Sequence, residues 1–452
     1  MSTLWLRLFI IAIASVGLVA GEPSASLLGD KYSPTTDVSS IVSLSQLLEA
    51  IALQPSHETG EALYKKIAPN SDDLSLESLA NGAGDAAFFQ SRTNPLYSIF
   101  MYALWRSPHG SGKDPGAEQP VSDMTFLGES VRTYGHTIVS DEFGKTSGYD
   151  PVLTAETIRA VNVWMATVQS LYDAVALCDG GDDPEFEEGT IVSPVDMAAA
   201  FWFGNHPGDD DAAGGGALED PSMGSNGNGT MYAWAERARS NFGFDDAPAP
   251  FDANAEIMKG LKALQSKLPE CWYEDDGPLD PAQPGAGMSG PTTEEEPDTV
   301  DTPEVSAEVR RMADDVVRYM TVPLVQNLIH SAANVVSEGN EAAHADDDID
   351  YVILYGLVTI PPIAVCDATV FNDLYDVLVA DEKVKGLDDD RLFSVLNSLY
   401  SRLLCLGVPC DWIGQSSRLD EIDDEAWPLC NDPATNFDPV KYSGIVADTD
   451  AF

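Results

Sequence analysis

The side chains of this chain that could do chemistry are mostly oxygen donors. Carboxylates come in runs, Asp179 to Glu188, Asp209 to Asp211 and Asp346 to Asp350, alongside 15 tyrosines and 6 histidines. Hard cations such as Fe(III) and Ca(II) take carboxylate, phenolate and carbonyl oxygens. Asp, Tyr and His together suit Fe(III); carboxylates alone suit Ca(II). The acidic runs lack the glycine at six and the glutamate at twelve that an EF-hand loop needs, so their first reading is a solvated loop or a helix cap. Three histidines stand near other good ligands. His136 follows Tyr134 in ESVRTYGHT, His206 precedes Asp209, and His330 lies eleven residues past Tyr319 in one helical pattern. His57, His109 and His344 have no such company.

The signatures of familiar catalytic machinery fail. There is no HExxH, and no histidine has glutamate at the third position, which argues against zincin and imelysin-type metallopeptidases. No GxSxG elbow occurs. Gly110-Ser111-Gly112-Lys113 resembles the end of a P-loop, but Asp114 stands where Ser or Thr is required and the first glycine is missing. These absences point to a protein that is not an enzyme.

Composition narrows the partners. The chain carries 74 Asp and Glu against 24 Lys and Arg, a formal net charge of −50. Such a field repels nucleic acid and anionic membranes and gathers cations. The start reads as a secretory signal peptide over 1–20: one basic residue by Arg7, the apolar run Leu8 to Val19, then Ala20-Gly21. That run is too short to span a bilayer comfortably. Tyr351 to Val365, the longest later apolar stretch, is cut by Pro361-Pro362. The expectation is a protein of the extracellular or periplasmic space with no membrane insertion of its own. Its six cysteines, Cys178, Cys271, Cys366, Cys405, Cys410 and Cys430, favour up to three disulfides with fifteen possible pairings, and their spacing fits no zinc site. Asn228-Gly229-Thr230 is a glycosylation sequon.

The elements that must position these groups are helices. Apolar residues recur at helical spacing over Ser39 to Leu53 and Thr154 to Leu177. Asn94 to Trp105 opens with Pro95 at a first helical position. Val195 to Phe203, Thr230 to Ser240 and Ala253 to Leu268 read as helices too. So do Glu304 to Val336, with Pro323 expected to kink or split it, Tyr351 to Ile363, Phe371 to Val379 and Arg391 to Cys405. Strand alternation is scarce, so the fold class is all-α. The helices fall into an N-terminal block over 21–276, interrupted by a Gly/Asp-rich loop at 206–229, and a C-terminal block over 304–452 with an acidic tail. The segment 277–303, rich in Pro, Gly and acid, reads as a disordered linker. The blocks could form one composite bundle or two domains.

Several stretches, taken in order, resemble one family. Val195 to Gly204 (VDMAAAFWFG) is similar to an Asp-x-Ala-x-Ala-Phe-Tyr-x-Gly block, with Trp202 in the aromatic position. Gly229 to Phe242 (GTMYAWAERARSNF) is similar to Leu-Tyr-x-Leu-Ala-x-Lys-Arg-x-x-x-Phe. Tyr319 to Gln326 (YMTVPLVQ), Ile360 to Cys366 (IPPIAVC) and Leu406 to Gly414 (LGVPCDWIG) resemble a Pro-Leu-hydrophobic-Gln segment, a Leu-Pro-x-x-x-x-Cys segment and a Leu-Gly-Ile-Thr-Cys-x-x-Val-Gly segment. The family is that of the low-iron-inducible periplasmic, or Fe-assimilation, proteins of green algae, with the related diatom phytotransferrins. The matches span about 195 to 414. The family often carries a cysteine near Arg239, which is absent here. Membrane-anchored relatives carry an apolar C-terminal segment, whereas this sequence runs out at Asp450-Ala451-Phe452.

The resemblance implies a secreted protein that binds ferric iron with carbonate as an accompanying anion, held at the cell surface, if at all, by a receptor or wall partner. Asp196, Tyr232, Tyr319 and His330 are the candidate metal ligands, since each joins ligand chemistry to a place in or near a matched block. Arg237 and Arg239, rare cations beside Tyr232, are the candidate anion-binding residues. The ordinary reading of each tyrosine is a core aromatic whose hydroxyl meets a partner, and that of each arginine an ion pair with a nearby acid. Two alternatives stand beside the iron carrier: an acidic extracellular or wall protein that buffers cations nonspecifically, and a diverged secreted enzyme.

Overall fold

The computed structural model describes residues 36–69, 74–81, 125–126, 129–130, 134–145, 148–178, 193–203, 231–242, 251–271, 302–337, 345–361, 363, 367–379, 384, 389–414 and 416. The signal peptide expected over 1–20, the helix expected over Asn94 to Trp105, the loop expected at 206–229 with Asn228, the linker expected at 277–303 apart from Thr302 and Pro303 (which begin a helix), Cys366, Cys430 and all of the acidic tail beyond Ser416 lie outside them.

The described chain is all-α. In the N-terminal block come α1 (Thr36–Ala52), α2 (His57–Tyr64), α3 (Leu76–Asn81) and α4 (Tyr134–Gly144). A long helix follows, made of α5 (Pro151–Ile158), a π-turn (Arg159–Val163) and α6 (Trp164–Cys178). Then come α7 (Pro194–Phe203), α8 (Met231–Ser240) and α9 (Ala253–Lys267), the last ending in a 3-10 turn, Leu268–Cys271. The C-terminal block holds α10 (Thr302–Ser337), α11 (Ala345–Thr359), α12 (Ala368–Leu378), α13 (Asp389–Tyr400) and the short α14 (Cys410–Ile413). Extended pairing among the described residues is confined to a two-residue antiparallel ladder, Thr125–Phe126 with Glu129–Ser130, and a bridge between Phe242 and Ser416. No helix among the described residues is long and apolar enough to cross a membrane.

Local sequence explains the helix starts. Asp150 caps α5 by accepting from the Val152 and Leu153 amides, with Pro151 at the first helical position. Asp252 caps α9 through the Ala255 amide, and Asp367 caps α12 through those of Thr369 and Val370. The acidic run Asp346 to Asp350 lies in the first turns of α11, where the helix dipole favours negative charge.

Both blocks contribute to one apolar core. Helix α10 lies at its centre and packs against α6, α8, α9, α11, α13 and α14. Val309, Val316, Met320, Leu324 and Leu328 bury its inner stripe. Pro323 does not split it: α10 is helical from Thr302 to Ser337 with Pro323 inside. Trp164 Nε1 donates to the Met320 carbonyl at 3.1 Å in that same stretch, so a neighbouring helix supports the backbone beside the proline. A disulfide joins Cys178, at the end of α6, to Cys271, in the turn after α9. Cys410 is buried and also disulfide-bonded, its partner lying outside the described side chains.

Candidate metal centre

Two of the stretches singled out in the sequence, those of α7 and α8, meet at the N-terminal end of α9. Trp202, fully buried on α7, donates its indole N–H to Asn254 Oδ1 at 2.8 Å. The Asn254 amide nitrogen then donates to the Tyr232 carbonyl at 3.1 Å and to Glu236 Oε1 at 2.8 Å. Three helices are thus locked by one buried asparagine, whose polar atoms all find partners.

Around this lock sits a group of oxygen donors. Tyr232, Glu236 and Arg239 lie on one face of α8, spaced four and three residues apart. Arg239 Nη1 reaches Glu236 Oε2 at 3.2 Å and Asp252 Oδ2 at 3.6 Å. The other oxygens of both carboxylates are already fixed, Glu236 Oε1 by Asn254 and Asp252 Oδ1 by the Ala255 amide at 3.0 Å. One oxygen of each carboxylate therefore converges on a single cationic nitrogen. Burial pushes the Tyr232 phenol up, Glu236 and Asp252 push it further, and the Arg239 guanidinium opposes them. The Tyr232 ring also meets Phe203, centroid to centroid, at 5.8 Å.

Of the other expected ligands, Tyr319 lies near the start of α9 among different neighbours, and His330 and Asp196 lie farther off. Tyr319 packs with Phe251 and Trp412, at 5.7 and 5.2 Å between centroids, and those two rings stack at 4.5 Å. Burial raises its phenol, helped by Asp315 and Glu256. His330 sits eleven residues further along α10, about 16 Å by helical rise, beside Asn334 at 3.4 Å, which itself donates to Asp348. Asp196, buried in the first turn of α7, accepts from Gln265 Nε2 at 3.3 Å. Gln265 is thirteen residues along α9 from Asp252, about 20 Å. A metal ion needs ligand atoms about 2 Å away, so the four expected ligands do not form one site.

The two arginines also part company. Arg237 points to Glu156, whose Oε1 takes Arg237 at 3.0 Å and Arg159 at 2.6 Å. Burial pushes the Glu156 carboxyl up, but the two guanidiniums outweigh it and hold the group below its usual value. Arg237 is therefore engaged in an interhelical ion pair. Arg239 remains beside Tyr232, and its Nε is buried without a hydrogen-bond partner, a donor that an oxyanion could use.

Sequence reasoning missed Glu236 and Asp252. Glu236 was readable from its spacing to Tyr232 and Arg239. Asp252 carried the signature of an N-cap before Ala253, but nothing in the sequence placed α9 against α8. Among the described residues, no cluster of three or more His, Cys, Asp or Glu side chains is arranged to hold a metal; the group here depends on its tyrosine. No protein-family model, curated protein or solved structure matches the chain.

Proposed function

We propose that this chain is a secreted, non-enzymatic iron-assimilation protein that takes up ferric iron at Tyr232, Glu236 and Asp252, with carbonate accompanying the metal at Arg239. The observation that carries the reading is the convergence of Glu236 Oε2 and Asp252 Oδ2 on one cationic nitrogen beside a tyrosine. Two carboxylates and a phenol are oxygen donors of the kind a hard trivalent cation takes. The raised phenol would not ionise unaided at neutral pH; a trivalent cation supplies the charge that drives its proton off, as metals do for other coordinating acids. Carbonate fits because the buried Arg239 Nε has a donor to give. The apolar leader, Leu8 to Val19, supports work outside the membrane, where a receptor or wall component would be the partner.

The test is a ferric titration of the mature protein followed by visible absorbance, with and without bicarbonate at fixed ionic strength. Saturation near one equivalent, with a tyrosinate charge-transfer band lost in Tyr232→Phe and kept in Tyr319→Phe, is the expected result. Weak multivalent uptake abolished by salt would sink the reading. It would leave an acidic extracellular protein buffering cations through its net charge of −50.

A further inference from the structure

We infer that Arg239 is a tethered competitor for the cation, occupying the seat until metal displaces it. The inference rests on the ferric reading of the site and adds to it how access is controlled. A structural arginine built to clamp a carboxylate offers two parallel N–H donors. Here Nη1 alone serves both Glu236 and Asp252, and Nε is buried with no acceptor. The guanidinium is thus placed by charge, at the one point where the two free carboxylate oxygens converge. That point is where an incoming cation must sit, because each carboxylate's second oxygen is held by Asn254 or by the Ala255 amide. Two cations cannot share the seat, so metal uptake requires the guanidinium to swing aside. Its side chain is 31% exposed, so it has solvent to move into.

The energetic consequence is a tax on affinity. While Arg239 fills the seat, only the fraction of molecules with it withdrawn can bind, and apparent affinity falls by that fraction. An anion that draws the guanidinium away relieves the tax. Bicarbonate then promotes binding by taking Arg239 off the carboxylates, in addition to any bond it makes to the metal.

The experiment uses Tb(III), a hard trivalent cation whose luminescence nearby tyrosine sensitises, on the full mature chain in moderate salt. Wild type, Arg239→Gln, Arg239→Lys and Asp252→Asn are compared with and without bicarbonate, with helicity checked by circular dichroism. Without bicarbonate, Arg239→Gln is expected to bind about tenfold tighter than wild type. Arg239→Lys, which keeps the charge but loses the planar fork, should fall between them. Asp252→Asn keeps a good helix cap and should lose the Tyr232-dependent signal. Bicarbonate should narrow the gap between wild type and Arg239→Gln. Equal or weaker binding by a folded Arg239→Gln without bicarbonate overturns the competitor role; if wild type still gives the ferric band, the iron site survives. Tighter Tb(III) binding by Arg239→Gln with no ferric band in any variant retains the competitor and sinks the iron reading.

Discussion

Asp314 is a carboxyl group held between two helices where water scarcely reaches it. It faces Tyr172 on α6, whose hydroxyl donates to Oδ1 at 2.6 Å, and it lies near Arg310, Arg318 and Asp315 on its own helix. Burial pushes its pKa to about 6, against the pull of the phenol and the two arginines. Because the folded value is raised, the native state holds the proton more tightly than the unfolded chain does. This contribution is fully present below about pH 4 and is lost as pH rises through about 6. The full shift corresponds to about 2–3 kcal/mol. Asp314→Asn keeps an acceptor for Tyr172 and removes the titration, so urea melts of the variant should lack that decline between pH 4 and 6. An unchanged pH slope would show that the group is not perturbed in this way. Glu156 poses the opposite case, a buried charge with two partners. Glu156→Ala should cost about 3–5 kcal/mol because it removes the carboxylate that the buried Arg159 meets at 2.6 Å. Arg237→Gln, on the more exposed partner, should cost about 1 kcal/mol or less and leave the bicarbonate dependence of the proposed metal uptake intact. A loss of that dependence would return Arg237 to the anion site. At this scale the sequence showed Tyr232 and Arg239, which share one helix face. It hid Asp252, which reaches them only because α9 packs on α8. It also suggested Asp196 and His330, whose helices carry them elsewhere, and Tyr319, which packs on Phe251 and Trp412 near the start of α9.

The helices were legible wherever an apolar stripe was long. The patterns over Val195 to Phe203 and Ala253 to Leu268 return almost residue for residue as α7 and α9. Glu304 to Val336 returns as the unbroken α10, because burial of its stripe on several neighbours outweighs one missing backbone donor at Pro323. The π-turn at Arg159–Val163 was not legible: one extra residue in a turn leaves the apolar rhythm nearly intact. Helices α2, α3 and α4 were missed because they are short, and hold through tertiary contacts such as Asn162 to the Leu76 carbonyl at 3.1 Å. Close approach of α9 to α10 depends on Gly260, where a Cβ would run into the Val316 side chain. Gly260→Ala gains helix propensity, worth about 1 kcal/mol, but overpacks this contact at a typical cost of about 1–3 kcal/mol. Since a β-branched valine can turn little in a helix, the net effect should be a lower melting temperature. A melting temperature equal to or above wild type would show that the two helices can part without loss. Val316→Ala in the same chain should restore part of the stability, which identifies the clash as the cause.

On the scale of the whole molecule, two global terms oppose one another. The disulfide between Cys178 and Cys271 closes a loop with a sequence separation of 93 and restrains the unfolded chain. On the chain-entropy account such a loop is worth about 4–5 kcal/mol. The double substitution to serine should lower stability by a large part of that without changing helicity in the folded state. Against it stands the net charge of −50. Like charges confined to a compact body repel, and the unfolded chain relieves the repulsion by spreading them apart. Monovalent salt screens this over about 10 Å at 0.1 M. The melting temperature should therefore climb with sodium chloride from low to moderate ionic strength. The site proposed at Tyr232 should respond differently. Its carboxylates lie within a few ångströms of the seat, inside the screening length, so specific uptake should weaken far less with salt than diffuse uptake does. Calorimetry of metal binding across a salt series separates the two: a near-stoichiometric component that persists while a multivalent component vanishes. If both vanish together, the charge acts only as a cloud, and the convergence of Glu236 and Asp252 on Arg239 is an ion pair that holds α8 to α9.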